Sequence, residues 1–116
     1  MANPANPNVL EFTSENWAQE VEKSDKPVMV DFWGPGCPPC VQLSLLIDRL
    51  ANQFAGKVKV GKLNVYDSPD VASKFGITSI PRVFFFNGGD KPKRSIIGLT
   101  SEAEMVKIVN SVLLDQ

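Results

Sequence analysis

The sequence predicts one α/β domain built on an open sheet, and three observations carry that expectation. The stretch VMVDFW at residues 28–33 is a run of β-branched and aromatic residues that reads as a buried strand. It breaks at Gly34-Pro35-Gly36 and hands over to a long apolar-periodic segment, the signature of a strand feeding a helix. Strand-like and helix-like stretches then alternate along the chain, and VFFF followed by Asn87-Gly88-Gly89-Asp90 closes the pattern with a hairpin. A chain of 116 residues, 43% hydrophobic, has the size and apolar content of a single domain.

The elements follow in order. Residues 1–8 are rich in Asn and Pro and read as a flexible N-terminal tail, with the folded domain spanning 9–116. Residues 9–12 form a short strand. Ser14 caps a helix through about Lys23, with Trp17 and Val21 on one face. Pro27 opens the strand at Val28, where a missing N–H costs no ladder bond. After Cys37, the residues Leu43, Leu46, Ile47, Leu50 and Phe54 fall on one stripe of a helix that stops near Gly56. Residues 57–64 alternate as KVKVGKLN, a strand with its pattern disturbed at Gly61. Ser68-Pro69 starts a short helix that Gly76 ends. Residues 82–86 and 93–98 make the antiparallel pair around the glycine turn. Ser101 and Glu104 form a capping box for a last helix burying Met105, Ile108, Val109 and Val112.

Bulk properties exclude several function classes. A net charge of −1 gives no electrostatic footprint for nucleic acid. No run of about 18 apolar residues exists to span a membrane. The first residues lack the basic and apolar regions of a secretory signal. A cytoplasmic protein is therefore expected, and there a lone Cys pair is more often catalytic or metal-binding than a structural staple.

The chemistry centres on Cys37-Pro38-Pro39-Cys40, at the strand-to-helix handover where open α/β sheets place their sites. A thiol at a helix N-terminus meets orphan N–H groups and the positive end of the dipole. That field is worth up to about 2 kcal/mol to an anion, more than a tenfold gain in the thiolate fraction of a free thiol near 8.5. Thiolate is the species that attacks disulfides. Cys40 lies one turn further in, placed to attack a mixed disulfide formed at Cys37. The alternatives are an inert disulfide or half of a metal site, and two Cys with no His fall short of the four ligands of tetrahedral zinc. Asp31, between Val30 and Phe32, is either a carboxyl with a burial-raised pKa that accepts the Cys40 proton or a strand-end Asp satisfied by backbone donors. Lys62 reads as a solvated strand residue, and Ile80-Pro81 as a strand boundary.

The stretches VDFWGPGCPPC, KLNV and ITSIPRVFFFNGG, with Gly98 beyond them, resemble the thioredoxin family in order and spacing over about residues 9–114. The resemblance implies the thioredoxin fold, a central five-stranded mixed sheet flanked by about four helices. It also implies a protein thiol–disulfide oxidoreductase that reduces substrate disulfides, with Cys37 as nucleophile and Cys40 as buried resolving thiol. No cofactor or metal is implied beyond the Cys37–Cys40 disulfide. By the same resemblance Asp31 is a proton acceptor below the thiols and Lys62 lies near it. Pro81 is cis beside the Cys pair, leaving the Ile80 backbone to pair with an extended substrate. Trp33, Gly36, Pro38 and Gly98 then line the substrate surface. The partners implied are protein disulfides and a thioredoxin reductase-type electron donor, met by a monomer, with no nucleic acid and no membrane.

The chain departs from the family pattern at several positions. Gly36 stands where a Trp precedes the first Cys, and Pro38-Pro39 replaces Gly-Pro. Val41 replaces a common Lys, Leu45 replaces a helix-kinking proline, and Arg82 replaces the common Thr. A straighter helix over residues 38–55 is expected, with the Leu45 side chain available to pack, and a narrower or shifted set of partners. Two other function classes share the motifs: a binding or assembly module on the same scaffold, and a carrier of a soft metal such as Cu(I).

Overall fold

A computed structural model of the chain describes residues 6–115. The strands are β1 (Val9–Glu11), β2 (Val28–Trp33), β3 (Lys59–Asn64), β4 (Arg82–Phe86) and β5 (Arg94–Ile97). The helices are α1 (Pro38–Gln53), α2 (Pro69–Lys74) and α3 (Glu102–Leu114), with a π-helical segment at Ala18–Glu22. The strands form one sheet in the order β1-β3-β2-β4-β5. β1, β3 and β2 run parallel, while β4 is antiparallel to both β2 and β5. Among the described residues this is the five-stranded mixed sheet with four flanking helical segments that the family resemblance implies.

The alternation of side chains along the strands splits the core in two. On one face Met29, Val60, Val83 and Phe85 pack with Leu43, Leu46, Ile47 and Leu50 of α1 and Met105, Val109 and Val112 of α3. On the other face Val28, Val30, Phe32, Phe84 and Phe86 pack with Trp17, Val21 and Val71. That second core is aromatic: Trp17, Phe32, Phe75, Phe84 and Phe86 meet at centroid distances of 5.3–6.3 Å, mostly edge to face. Both faces are covered, so central strands lose the inside–outside alternation, and β3 is buried at four consecutive positions.

Several expectations change. The helix read from Ser14 shortens to the π-helical turn at Ala18–Glu22, because the Ser14 hydroxyl turns away to Asp70 and its N–H donates to Ser68. Ser68 thereby serves that contact and makes no side-chain cap on α2. The turn after β4 runs longer than four residues, with Gly88 and Gly89 at φ +89° and +78°, and β5 begins at Arg94. Ser101 accepts from the Glu104 N–H at 3.1 Å. The flexible-tail reading falls partly on residues 1–5, which lie outside the described residues. Asn6 and Asn8 are tied down: the Asn6 carboxamide donates to the Asp48 carbonyl, and that of Asn8 donates to Asn52. Leu45 does not pack; it is 63% exposed, because the inward stripe of α1 is already taken by Leu43, Leu46, Ile47 and Leu50.

Gly61 explains the disturbed pattern in β3. A Cβ there would lie 2.4 Å from the Phe12 ring and 2.8 Å from the Leu10 carbonyl oxygen. The glycine leaves room for the Phe12 ring against β3. Gly61→Ala should therefore destabilise the fold by about 1–3 kcal/mol through overpacking. The check is the urea midpoint, with an unchanged slope.

Candidate active site

The site forms at the carboxyl end of β2, where residues 34–37 turn the chain into α1. Gly36 makes the turn at φ +74°, a left-handed conformation in which a side chain is strained, so a Trp at this position would not fit the local backbone without cost. Gly34 is needed for a different reason: a Cβ would meet the Tyr66 ring at 2.6 Å and Ile80 Cδ1 at 2.9 Å. This close approach brings Ile80 and Tyr66 against the loop that carries the cysteines.

Cys37 is the N-cap of α1 and is bonded to Cys40 in a disulfide. Cys37 is part-exposed, whereas Cys40 is 2% exposed. The Cys40 N–H donates to Cys37 Sγ at 3.2 Å, and the Val41 N–H to the Cys37 carbonyl. Pro38 and Pro39 occupy the first helical positions and have no N–H. Of the orphan amides a helix start normally offers to an anion, the Cys40 N–H is the one that reaches the Cys37 sulfur. The departure at residues 38–39 thus narrows the cradle to a single donor.

Ile80-Pro81 is cis. The β2–β4 register pairs Phe32 with Arg82, which places Pro81 at the same sheet end as Trp33. The Gly98 N–H donates to the Pro81 carbonyl at 3.0 Å, and Gly98 itself adopts φ +77°. Among the described residues no backbone hydrogen bond engages the Ile80 amide or carbonyl. Trp33 is half-buried at the end of β2 and lines a pocket of about 210 Å³ with Gly34, Pro35, Gly36, Cys40 and Val41.

Beneath α1 lie two buried charged groups. Asp31 and Lys62 are register partners on parallel β2 and β3, both 0% exposed. The Lys62 ammonium donates to Ser44 Oγ at 2.5 Å and to Asp48 Oδ1 at 3.1 Å. Both Asp31 carboxyl oxygens are buried with no hydrogen-bond partner among the described residues. Desolvation pushes the Asp31 carboxyl up to about 7; the Lys62 charge opposes the rise and the Asp48 charge adds to it.

A family model for thioredoxin matches residues 8–111. The chain belongs to the thioredoxin family. It is 40% identical to thioredoxin M4, chloroplastic, of Arabidopsis thaliana over 92% of this chain and 55% of that protein. It is 44% identical to the chloroplastic M-type thioredoxin of Pisum sativum over 84% of this chain and 56% of that one. It is 47% identical to thioredoxin 1 of Nostoc sp. over 70% of this chain and 76% of that one. The chain thus spans little more than half the length of the two plant thioredoxins. Thioredoxins are thiol–disulfide oxidoreductases that act without a cofactor, and the Cys pair forms the redox-active disulfide.

The cytoplasmic placement expected from the sequence is corrected by these relatives. The two plant thioredoxins named above carry chloroplastic in their names, and further chloroplastic M-type thioredoxins match at comparable identity. A chain start without secretory features had suggested the cytoplasm, but such features do not distinguish plastid from cytosolic proteins. Among the described residues, no helix is long and apolar enough to cross a membrane, and no three Cys, His, Asp or Glu side chains gather as a metal site would need.

The structure brings together Trp33, Gly36, Cys37, Pro38 and Cys40 in one stretch from the end of β2 through the turn into the start of α1, with Ile80 against it, and Pro81 and Gly98 joined by a backbone hydrogen bond at the same sheet end. Asp31 and Lys62 stand in register below. The solvated reading of Lys62 gives way to a buried one. Sequence reasoning missed Ser44, Asp48 and Tyr66. For Ser44 and Asp48 a signal existed: they follow Cys40 at i+4 and i+8, on one ridge of α1. Tyr66 is 68% exposed in a turn and had no pattern to mark it.

The raised Asp31 carboxyl fixes the sign of a pH effect on stability. Below about pH 4 it is protonated in both folded and unfolded chains and contributes nothing. From there up to about 7 the unfolded chain releases a proton that the folded chain keeps, so stability falls as pH rises, by an order of 4 kcal/mol in full. Asp31→Asn should therefore gain stability relative to the parent between pH 4 and pH 8, read as denaturant midpoints of both proteins across that range. A gap between the two that stays constant with pH would contradict the burial of a titrating carboxyl.

Proposed function

We propose that the chain reduces protein disulfides by dithiol–disulfide exchange through Cys37 and Cys40. The observation that carries this reading is the asymmetry of the pair: Cys37 part-exposed at the start of α1 with an amide on its sulfur, Cys40 buried behind it. In the reduced state the Cys37 thiolate attacks one sulfur of a substrate disulfide and expels the other as thiolate. The Cys40 thiol gives its proton to Asp31 and attacks Cys37 Sγ, which releases the second substrate sulfur as thiolate. Two electrons pass to the substrate, and the Cys37–Cys40 disulfide remains. Until that proton arrives, the Lys62 charge favours the ionised form of the buried carboxyl. Ile80 offers its unpaired backbone to an extended substrate segment, with Pro81, Gly98, Trp33, Gly36 and Pro38 forming the surface around it.

A plastid setting is supported by the chloroplastic names of the M-type relatives. The disulfide is then reduced again by a thioredoxin reductase or a ferredoxin-thioredoxin reductase. Gly36 and Val41 in place of larger or charged residues beside the thiols narrow the set of partners. The two donor classes are told apart by supplying each with its own electron source and following thiol formation. Reduction by the NADPH-dependent enzyme at the rate of an ordinary thioredoxin would refute the narrowed partner set.

The exchange reading is tested by insulin reduction with dithiothreitol. The protein should accelerate precipitation of the insulin B chain, Cys37→Ser should abolish the effect, and Cys40→Ser should trap a covalent mixed disulfide visible on a non-reducing gel. Equal rates with and without the protein would refute the reading. Trapping through Cys40 in Cys37→Ser, with none in Cys40→Ser, would reverse the two roles.

A further inference from the structure

Asp31 and Lys62 present an unexpected arrangement. With Asp31 ionised they carry opposite charges, they are register partners on adjacent strands, and both are wholly buried on the α1 side of the sheet. Opposite charges so placed in a dry interior ordinarily pair, since the attraction there is little screened. Here they do not. The Lys62 ammonium is held by Ser44 and Asp48, and the Asp31 oxygens are left without a hydrogen-bond partner among the described residues.

The cause lies in α1. Cys40, Ser44 and Asp48 follow one another at intervals of four, so they form one ridge on the helix face above β2 and β3. The ridge orders its groups from the N-terminus: thiol, then hydroxyl, then carboxylate. Lys62 reaches to the second and third of these and so is drawn along α1 away from the thiol end. α1 is helical throughout Pro38–Gln53, with Leu45 where a kinking proline is common, and this regularity sets Ser44 and Asp48 in line. Among the described residues the charged groups acting on Asp31 are Lys62 from β3 and Asp48 from α1. Its β4 neighbour, Val83, is apolar.

We propose that Ser44 and Asp48 are positioning residues that hold the Lys62 ammonium off Asp31 and thereby set the pH range in which Asp31 takes and gives its proton. The role of that proton in releasing the mixed disulfide rests on the exchange reading above. The tether itself does not.

The test follows the Asp31 carboxyl carbon by NMR titration of the oxidised full chain, without substrate, in the parent and in Ser44→Ala, Asp48→Asn and Lys62→Met. An opposite charge at hydrogen-bonding distance lowers a carboxyl by about 1–3 pH units. Ser44→Ala should lower the Asp31 midpoint by at least about one such unit, as the released ammonium turns to Asp31. Asp48→Asn should lower it too, by releasing the ammonium and by removing a like charge. In the Lys62→Met background Ser44→Ala should have no effect, an outcome that a general loosening of the core would not produce. If Asp48→Asn fails to fold, Ser44→Ala and the Lys62→Met pair decide the matter alone. An Asp31 midpoint unchanged in Ser44→Ala, or lowered equally with Met at position 62, overturns the proposal. A failure of insulin reduction in the parent would refute exchange and leave the titration result standing.

Discussion

A carboxyl group kept out of water governs this structure. Asp31 sits in a strand whose neighbours on both sides are apolar or fully buried, and no protein donor among the described residues compensates its oxygens. Such a group is costly when charged and tolerable when neutral. Sheet register, the regular α1 and the placement of Lys62 all bear on which of those states it holds near neutral pH. A domain of this size has little stability to spare, so an unfavourable buried acid at the carboxyl end of β2 points to use rather than accident.

The site around it divides labour between elements. β2 delivers Asp31 and Trp33, and the Gly34–Gly36 turn swings the chain so that Cys37 caps α1. α1 supplies the amide on the Cys37 sulfur, buries Cys40 and carries Ser44 and Asp48 beneath. The cis peptide and Gly98 bring a second backbone segment to the same edge. No single element carries the chemistry, which is why each part looks ordinary alone and distinctive only together.

Much of this was legible in the residues. The apolar run at Val28, the glycine–proline break and the stripe of α1 each have a periodic or steric signature, and the sheet and its helices follow from them. The Cys pair was equally readable, whereas the residues around Asp31 fit a buried carboxyl and a strand-end Asp equally well, and only the family resemblance favoured the first. Lys62 was not readable as a buried residue. Its strand alternates with glycine and lysine, and only the cover of α1 over β3 makes the position dry. The partner of Lys62 was hidden for the same reason: Ser44 and Asp48 lie far from it in sequence, and their meeting depends on how α1 crosses the sheet. The shortened first helix reflects tertiary contacts too, because Ser14 is drawn to Ser68 and Asp70 rather than to its own turn.

The two prolines between the cysteines have one more consequence. Each fixes a φ angle, so the segment joining the two sulfurs has few conformations to lose when they bond. Closure of that small ring carries a low entropic toll, and the effective molarity of one sulfur toward the other stays high in the dithiol form. The same stiffness holds the two ends of the segment at a set separation whether or not the sulfurs are joined.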